Sequence, residues 1–156
     1  MTKPIPDGFH TLTPHIVVTD GVAAIEFYKN AFGAKENARL MTPDGKNVMH
    51  AQLTIGNSIL MLGSEMPPNY LSPKSRGGTS VYLHVYLADA DAAFDRAVKA
   101  GCTVRMPVSD TFWGDHYGVV EDPFGHQWAI ATHRHDYTPE QIAANAKEFM
   151  AGMPKH

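Results

Sequence analysis

One stretch of the chain recurs at a fixed offset. His15-Ile16-Val17-Val18-Thr19-Asp20 leads into a helical pattern over 21–32 that stops at Gly33, and His84-Val85-Tyr86-Leu87-Ala88-Asp89 leads into another over 90–100 that stops at Gly101. Asp89 lies 69 positions after Asp20, and the turn glycines Gly125 and Gly56 are also 69 apart. One offset therefore registers both ends of the repeat, which restricts the chain to architectures built from two similar modules. Within 156 residues, a module of about half that length buries too little apolar surface to stand alone, so the halves must share a core.

Each copy reads as β-α-β-β-β. In the first, a β-rich segment over 12–18 is followed by a helix with Asp20 as its cap, apolar residues Ile25, Tyr28, Ala31 and Phe32 at helical spacing, and Gly33 as its stop. Lys35 to Met41 and Asn47 to Ile55 flank Asp44-Gly45 as a hairpin, and Gly56-Asn57 turns into a last strand over 58–62. The second copy repeats this order with strands over 82–87, 104–108, 117–121 and 127–132 and a helix over 90–100. Its main difference is the connection Ser109 to His116, which reads as a long loop carrying Phe112 and Trp113, suited to a pocket lid. Thr138-Pro139-Glu140-Gln141 carries a capping box with proline at the first helical position, predicting a final helix to about Ala151. Its stripe of Ile142, Ala146, Phe149 and Met150 needs a surface to cover. The expected divisions are an arm over 1–10, a first module over 11–63, a linker over 64–79, a second module over 80–135, and a C-terminal helix and tail over 136–156.

Thirteen basic and sixteen acidic residues give a net charge of -3, with Lys and Arg scattered singly, so nucleic acid is not an expected partner. The lone Cys102 follows a helix-ending glycine and suits a small buried hydrophobe. No apolar run approaches the roughly 20 residues of a membrane span, and residues 1–8 lack an apolar leader, so the expectation is a soluble cytoplasmic protein.

The paired modules, Ile25-Glu26-Phe27-Tyr28 ahead of Ala31-Phe32-Gly33-Ala34, and the turn Asp122-Pro123-Phe124-Gly125-His126 resemble the vicinal oxygen chelate superfamily of glyoxalases, bleomycin-resistance proteins and extradiol dioxygenases. His50-Ala51-Gln52-Leu53, Leu71-Ser72-Pro73-Lys74-Ser75, Phe112-Trp113-Gly114-Asp115 and Trp128-Ala129-Ile130-Ala131-Thr132-His133 resemble its PhnB-like, glyoxalase-like branch. The resemblance implies an α+β fold: two tandem β-α-β-β-β modules forming a curved mixed sheet around a central pocket, plus a C-terminal helix. In metal-dependent members the ligands occupy four symmetric positions, two on first strands and two on last strands. Here these are Thr13, Leu60, Tyr82 and Ala129, which offer no set of imidazole, carboxylate or thiolate donors. No cofactor is therefore expected.

Strand alternation selects what faces the pocket instead. With Ile16, Val18, Leu83, Val85, Leu87, Met49, Ala51, Leu53, Ile55, Trp128 and Ile130 against the helices, the other face carries His15, His50, Gln52, Tyr82, His84 and Tyr86. His15 and His84 are again 69 apart, and His15, His50 and His84 are the catalytic candidates, imidazole being suited to proton exchange near neutral pH. Gln52, Tyr82, Tyr86, Trp113, Asp115 and His116 are the ligand-binding candidates. His116 stands where proteins of the branch it resembles more often carry Arg, exchanging a permanent cation for a titratable ring. A histidine on a half-exposed sheet face also serves simply as a hydrogen-bonded wall, while His10, His126, His135 and His156 read as solvated. The Asp122 turn reads as turn chemistry alone.

The expected function is binding of a small molecule in the pocket between the modules by a glyoxalase-like protein that works as a homodimer, with modules exchanged between chains as one arrangement. Two alternatives stand: a metal-dependent lyase, isomerase or dioxygenase with its metal shifted onto His15, His50 and His84, and a metal-free enzyme using one of these histidines as acid or base.

Overall fold

The computed structural model describes residues 1–154, and His156 lies outside them. The element order is β1 (His15–Val18), α1 (Gly21–Phe32), β2 (Lys35–Met41), β3 (Val48–Ile55), β4 (Ser58–Ser64), α2 (Pro73–Arg76), β5 (Tyr82–Tyr86), α3 (Ala90–Ala100), β6 (Thr103–Asp110), β7 (Asp115–Glu121), β8 (Gln127–His133) and α4 (Pro139–Ala151). Two four-stranded mixed sheets result, ordered β1-β4-β3-β2 and β5-β8-β7-β6. In each, the first strand pairs parallel with the last and the other pairings are antiparallel.

Local chemistry fixes the helices. Asp20 accepts from the Ala23 amide and Asp89 from the Ala92 amide, both at 3.0 Å, satisfying donors that have no partner within the helix. Gly33, at φ 65°, closes α1 in a conformation that a side chain would oppose. Along α1 the buried residues Ala24, Ile25, Tyr28 and Ala31 form one face, and along α3 Ala90, Phe94 and Ala97 do the same.

These two faces meet in one core. Phe32 of α1 stacks on Trp128 of β8 with ring centroids 4.2 Å apart, Phe27 meets Phe124 edge-on, and Tyr28 lies against both Phe124 and Trp128. Arg96 of α3 donates to the carbonyls of Asn30 and Lys29 at the end of α1, where the helix dipole favours a cation. Asp122 is 2% exposed and gathers four donors: the Tyr28 hydroxyl at 2.6 Å, the Trp128 indole at 2.9 Å, and the Phe124 and His126 amides at 2.9 and 3.0 Å. His126, expected to be solvated, is half-buried and bonds the Val17 carbonyl of β1 through Nε2 at 2.8 Å. The turn that reads as simple punctuation thus joins the two modules.

Several expectations change. The connection before β7 is no long lid: β6 runs to Asp110, β7 starts at Asp115, and residues 111–114 close a tight hairpin in which the Thr111 amide donates to the Asp115 carbonyl at 2.8 Å. Its polar flanks, Ser109-Asp110 and Asp115-His116, conceal two strand ends. Met49 is 41% exposed while Val48 is buried, because a register shift between Leu40 and Met41 disturbs the alternation there. The first strand begins at His15 rather than near Leu12, and the linker contains the short helix α2.

The 69-residue offset also fails along the last strands. His15 pairs with Met61 and His84 with Ala129, so β4 and β8 correspond at an offset of 68. Hydrogen bonds agree: Ser64 Oγ accepts from the Gly21 amide at 3.1 Å, and Thr132 Oγ1 accepts from the equivalent Ala90 amide at 2.8 Å. The two turn glycines are not equivalent, since Gly56 lies five residues before Met61 whereas Gly125 lies four before Ala129. A slip of one residue moves a side chain to the opposite face. Leu60 accordingly lies in the core at 5% exposure, and Met61 takes the place opposite Ala129 in the repeat.

Candidate functional site

Because the helix-bearing faces of both sheets share the core, their opposite faces look outward, and the second-sheet face is the more highly organised. Asp115, 2% exposed, receives the Trp113 indole N–H at 2.9 Å and the Tyr86 hydroxyl at 3.1 Å on Oδ2, and the His133 Nδ1 proton at 2.7 Å on Oδ1. Burial opposes ionisation of this carboxyl, but the donors from His133, Trp113 and Tyr86 outweigh it and hold it below the usual carboxylate range. His133 also reaches Asp136 through Nε2 at 2.9 Å; the carboxylates of Asp136 and then Asp115 raise its pKa, favouring imidazolium. Burial, followed by the bond to Asp115, raises the Tyr86 phenol, keeping it a donor.

Around this anchor the aromatic rings form a wall. His84 lies 4.6 Å from Tyr86 and 5.7 Å from Tyr117, and Trp113 meets Tyr117 edge-on at 5.5 Å. Ala129 and Ala131 form a buried floor between β5 and β7, small enough to leave the flanking rings upright. Tyr86 is nevertheless 62% exposed and Tyr82 56% exposed. Such a surface presents stacking area, a phenol and an imidazole, with the Asp115 carboxylate buried behind them.

The first-sheet face is smaller. His15 meets His50 edge-on at 5.7 Å and Tyr70 of the linker at 6.1 Å, while Gln52 Nε2 lies 3.3 Å from His50 Nε2. Partial burial and then the neighbouring His50 lower the His15 pKa, so its ring is neutral near pH 7. Within one chain His84 does not join His15 and His50: among the described residues no three His, Cys, Asp or Glu side chains cluster to hold a metal. The symmetric pair therefore belongs to two separate faces.

His116 does not line either face. It alternates with Asp115 onto the helix side of β7, where Nδ1 bonds Asp110 at 2.6 Å and Nε2 bonds Asp91 of α3 at 3.1 Å. Those carboxylates raise its pKa, making it an ionic tie between the hairpin and α3. Cys102 is buried, and burial followed by Asp122 pushes its thiol up to about 12, as suits a packed, unreactive group.

With the corrected register, the positions implied for a superfamily metal hold Thr13, Met61, Tyr82 and Ala129. The Thr13 hydroxyl is spent on the His10 carbonyl at 2.9 Å, and a thioether, a phenol and a methyl complete a set that does not suit a divalent ion. The contributions of Tyr117, Tyr70 and the His133–Asp136 clamp were not foreseen. His133 already stands on the correct face by alternation, whereas only tertiary packing brings Tyr70 beside His15.

Residues 8–130 match the family described as the Glyoxalase/Bleomycin resistance protein/Dioxygenase superfamily. An uncharacterized protein of Mycobacterium bovis is 43% identical over 137 residues, spanning 85% of this chain and 90% of that protein. Among solved structures, TioX from Micromonospora sp. ML1 superposes with a TM-score of 0.62 at 26% identity, covering 83% of this chain and 100% of TioX. A PhnB protein from Bacillus cereus shares the fold, with a TM-score of 0.61 at 16% identity over 79% of this chain and 99% of its own.

Proposed function

As the chain belongs to the glyoxalase/bleomycin resistance protein/dioxygenase superfamily, we propose that it is a small-molecule-binding protein without the superfamily's usual metal quartet. Its ligand lies between the second-sheet face of one chain and the first-sheet face of a second copy, in a cytoplasmic homodimer. The observation that carries this is the exposed aromatic wall of Tyr86, His84, Tyr117 and Trp113 on a buried, fully bonded Asp115. Rigid rings on a fixed anchor bind at low entropic cost, and an outward-facing wall of this kind calls for an opposing surface.

The neutral imidazole of His15 beside His50 favours a second reading, in which the same pocket moves a proton from a carbonyl-adjacent carbon without metal. A thermal-shift screen of planar aromatic and α-carbonyl compounds separates the possibilities. Compounds that raise the Tm of the wild type should lose their effect in Tyr86→Ala, and added Ni, Zn, Fe or Mn should leave the Tm unchanged. Turnover of a bound compound that collapses in His15→Gln while binding survives would select the enzyme. A metal-induced Tm rise abolished by His84→Gln would reinstate a shifted metal site.

A further inference from the structure

A second recess lies away from the aromatic wall. Lined by residues of β1, β5 and the linker, a cleft of about 360 Å³ opens between the modules, toward the smaller end of the range of roughly 300–1,000 Å³ for small-ligand sites. Leu71, Val81 and Leu83 supply apolar wall, and His126, fixed on the Val17 carbonyl, closes one side. In a chain with net charge -3, no acidic side chain lines this cleft.

Its one permanent charge is Arg76. The guanidinium makes a single long bond, from Nη2 to the Asn69 carbonyl at 3.4 Å, and forms no ion pair among the described residues. Most of its donors are therefore free. The Thr79 hydroxyl accepts from the Val81 amide at 3.1 Å, so its own proton is available to a ligand. An arginine fork, a hydroxyl and apolar wall lining one cleft match a planar carboxylate on an aliphatic body.

We propose that this cleft binds a small amphipathic carboxylate, with Arg76 holding the carboxylate and Leu71, Val81 and Leu83 covering the chain. All of its lining residues come from one chain, His15 and Tyr70 of the first-sheet face among them, and none belongs to the aromatic wall of the second sheet. The test is isothermal titration with sodium butyrate, hexanoate and octanoate at low ionic strength. Saturable binding is expected at one site per chain, tightening by up to about fourfold for each added methylene until the cleft is filled. Arg76→Gln should weaken hexanoate binding by about tenfold or more, Arg76→Lys by less, and Val81→Trp should block it by filling the recess. Arg105→Gln, which removes a surface charge paired with Glu121, should bind as the wild type does. Absence of saturable hexanoate binding up to about 10 mM, or Arg76→Gln binding as tightly as the wild type, would overturn the proposal. Loss of binding in Tyr86→Ala with retention in Arg76→Gln would move the carboxylate to the aromatic wall and overturn it equally.

Discussion

Asp122→Ala is expected to destabilise the protein by about 3–5 kcal/mol, because it leaves two buried side-chain donors and two backbone amides without their acceptor. The carboxylate joins α1 to the second sheet through Tyr28, holds Trp128 from within its own module, and orders the turn that carries His126 to β1. Burial, followed by the charge of Asp122 and the hydrogen bond to it, raises the Tyr28 phenol well above its ordinary value, so it remains a donor across the working pH range. Tyr28→Phe should cost less, about 1–3 kcal/mol, since it removes one donor and leaves the others satisfied. Urea unfolding followed by tryptophan fluorescence measures both. Equal losses in the two variants would mean that the single bond from the Tyr28 hydroxyl, rather than the full set of four donors on the carboxylate, carries the stabilisation.

Asp115→Ala should cost about 2–4 kcal/mol and disorder the aromatic wall, because Tyr86, Trp113 and His133 lose their common acceptor. The same variant has a titration signature. The folded-state pKa of His133 is raised by Asp136 first and Asp115 second, so its stabilising contribution is complete below the unfolded value near 6.5 and is lost as pH rises through the folded value. Asp115 is shifted downward, so its contribution is present above its unfolded value near 3.9 and is lost as pH falls through the folded value. Wild-type His133 should therefore titrate above 6.5 by NMR. In Asp115→Ala it should titrate lower, retaining only the elevation due to Asp136. An unchanged His133 titration would show that Asp115 does not hold the ring.

Some of this was legible in the sequence. Both long helices of the repeat begin and end where Asp20, Gly33, Asp89 and Gly101 place them, because capping and left-handed stops act within a few residues. The fold followed from the duplication. The last-strand register did not, because Gly56 and Gly125 stand five and four residues before the equivalent positions Met61 and Ala129, and matching them exchanges Leu60 for Met61. Nor did the bonding of Asp122 and His116, whose partners Tyr28 and Asp91 are 94 and 25 positions away. The separation of His15 from His84 depends on which faces share the core, and that follows from tertiary packing across the modules, the stacking of Phe32 on Trp128 included, rather than from any local pattern. Alternation assigns Gln52, Tyr82, Tyr86 and the three candidate histidines to the faces away from the helices, and none of them lies in the buried core, whereas Asp115 reads as a loop residue in the sequence and begins β7 in the structure.

In the proposed dimer the outward face of the second module in one chain meets that of the first module in another. Cysteines at Gln52→Cys and Tyr86→Cys, carried on separate chains and joined by a short bis-maleimide, test it most directly, since the buried thiol of Cys102 does not compete. The mixed proteins should yield a cross-linked pair at twice the mass of one chain, and neither variant alone should do so. A mixture that stays single-chain, or a doubly substituted chain that links within itself at high dilution, would contradict the shared pocket.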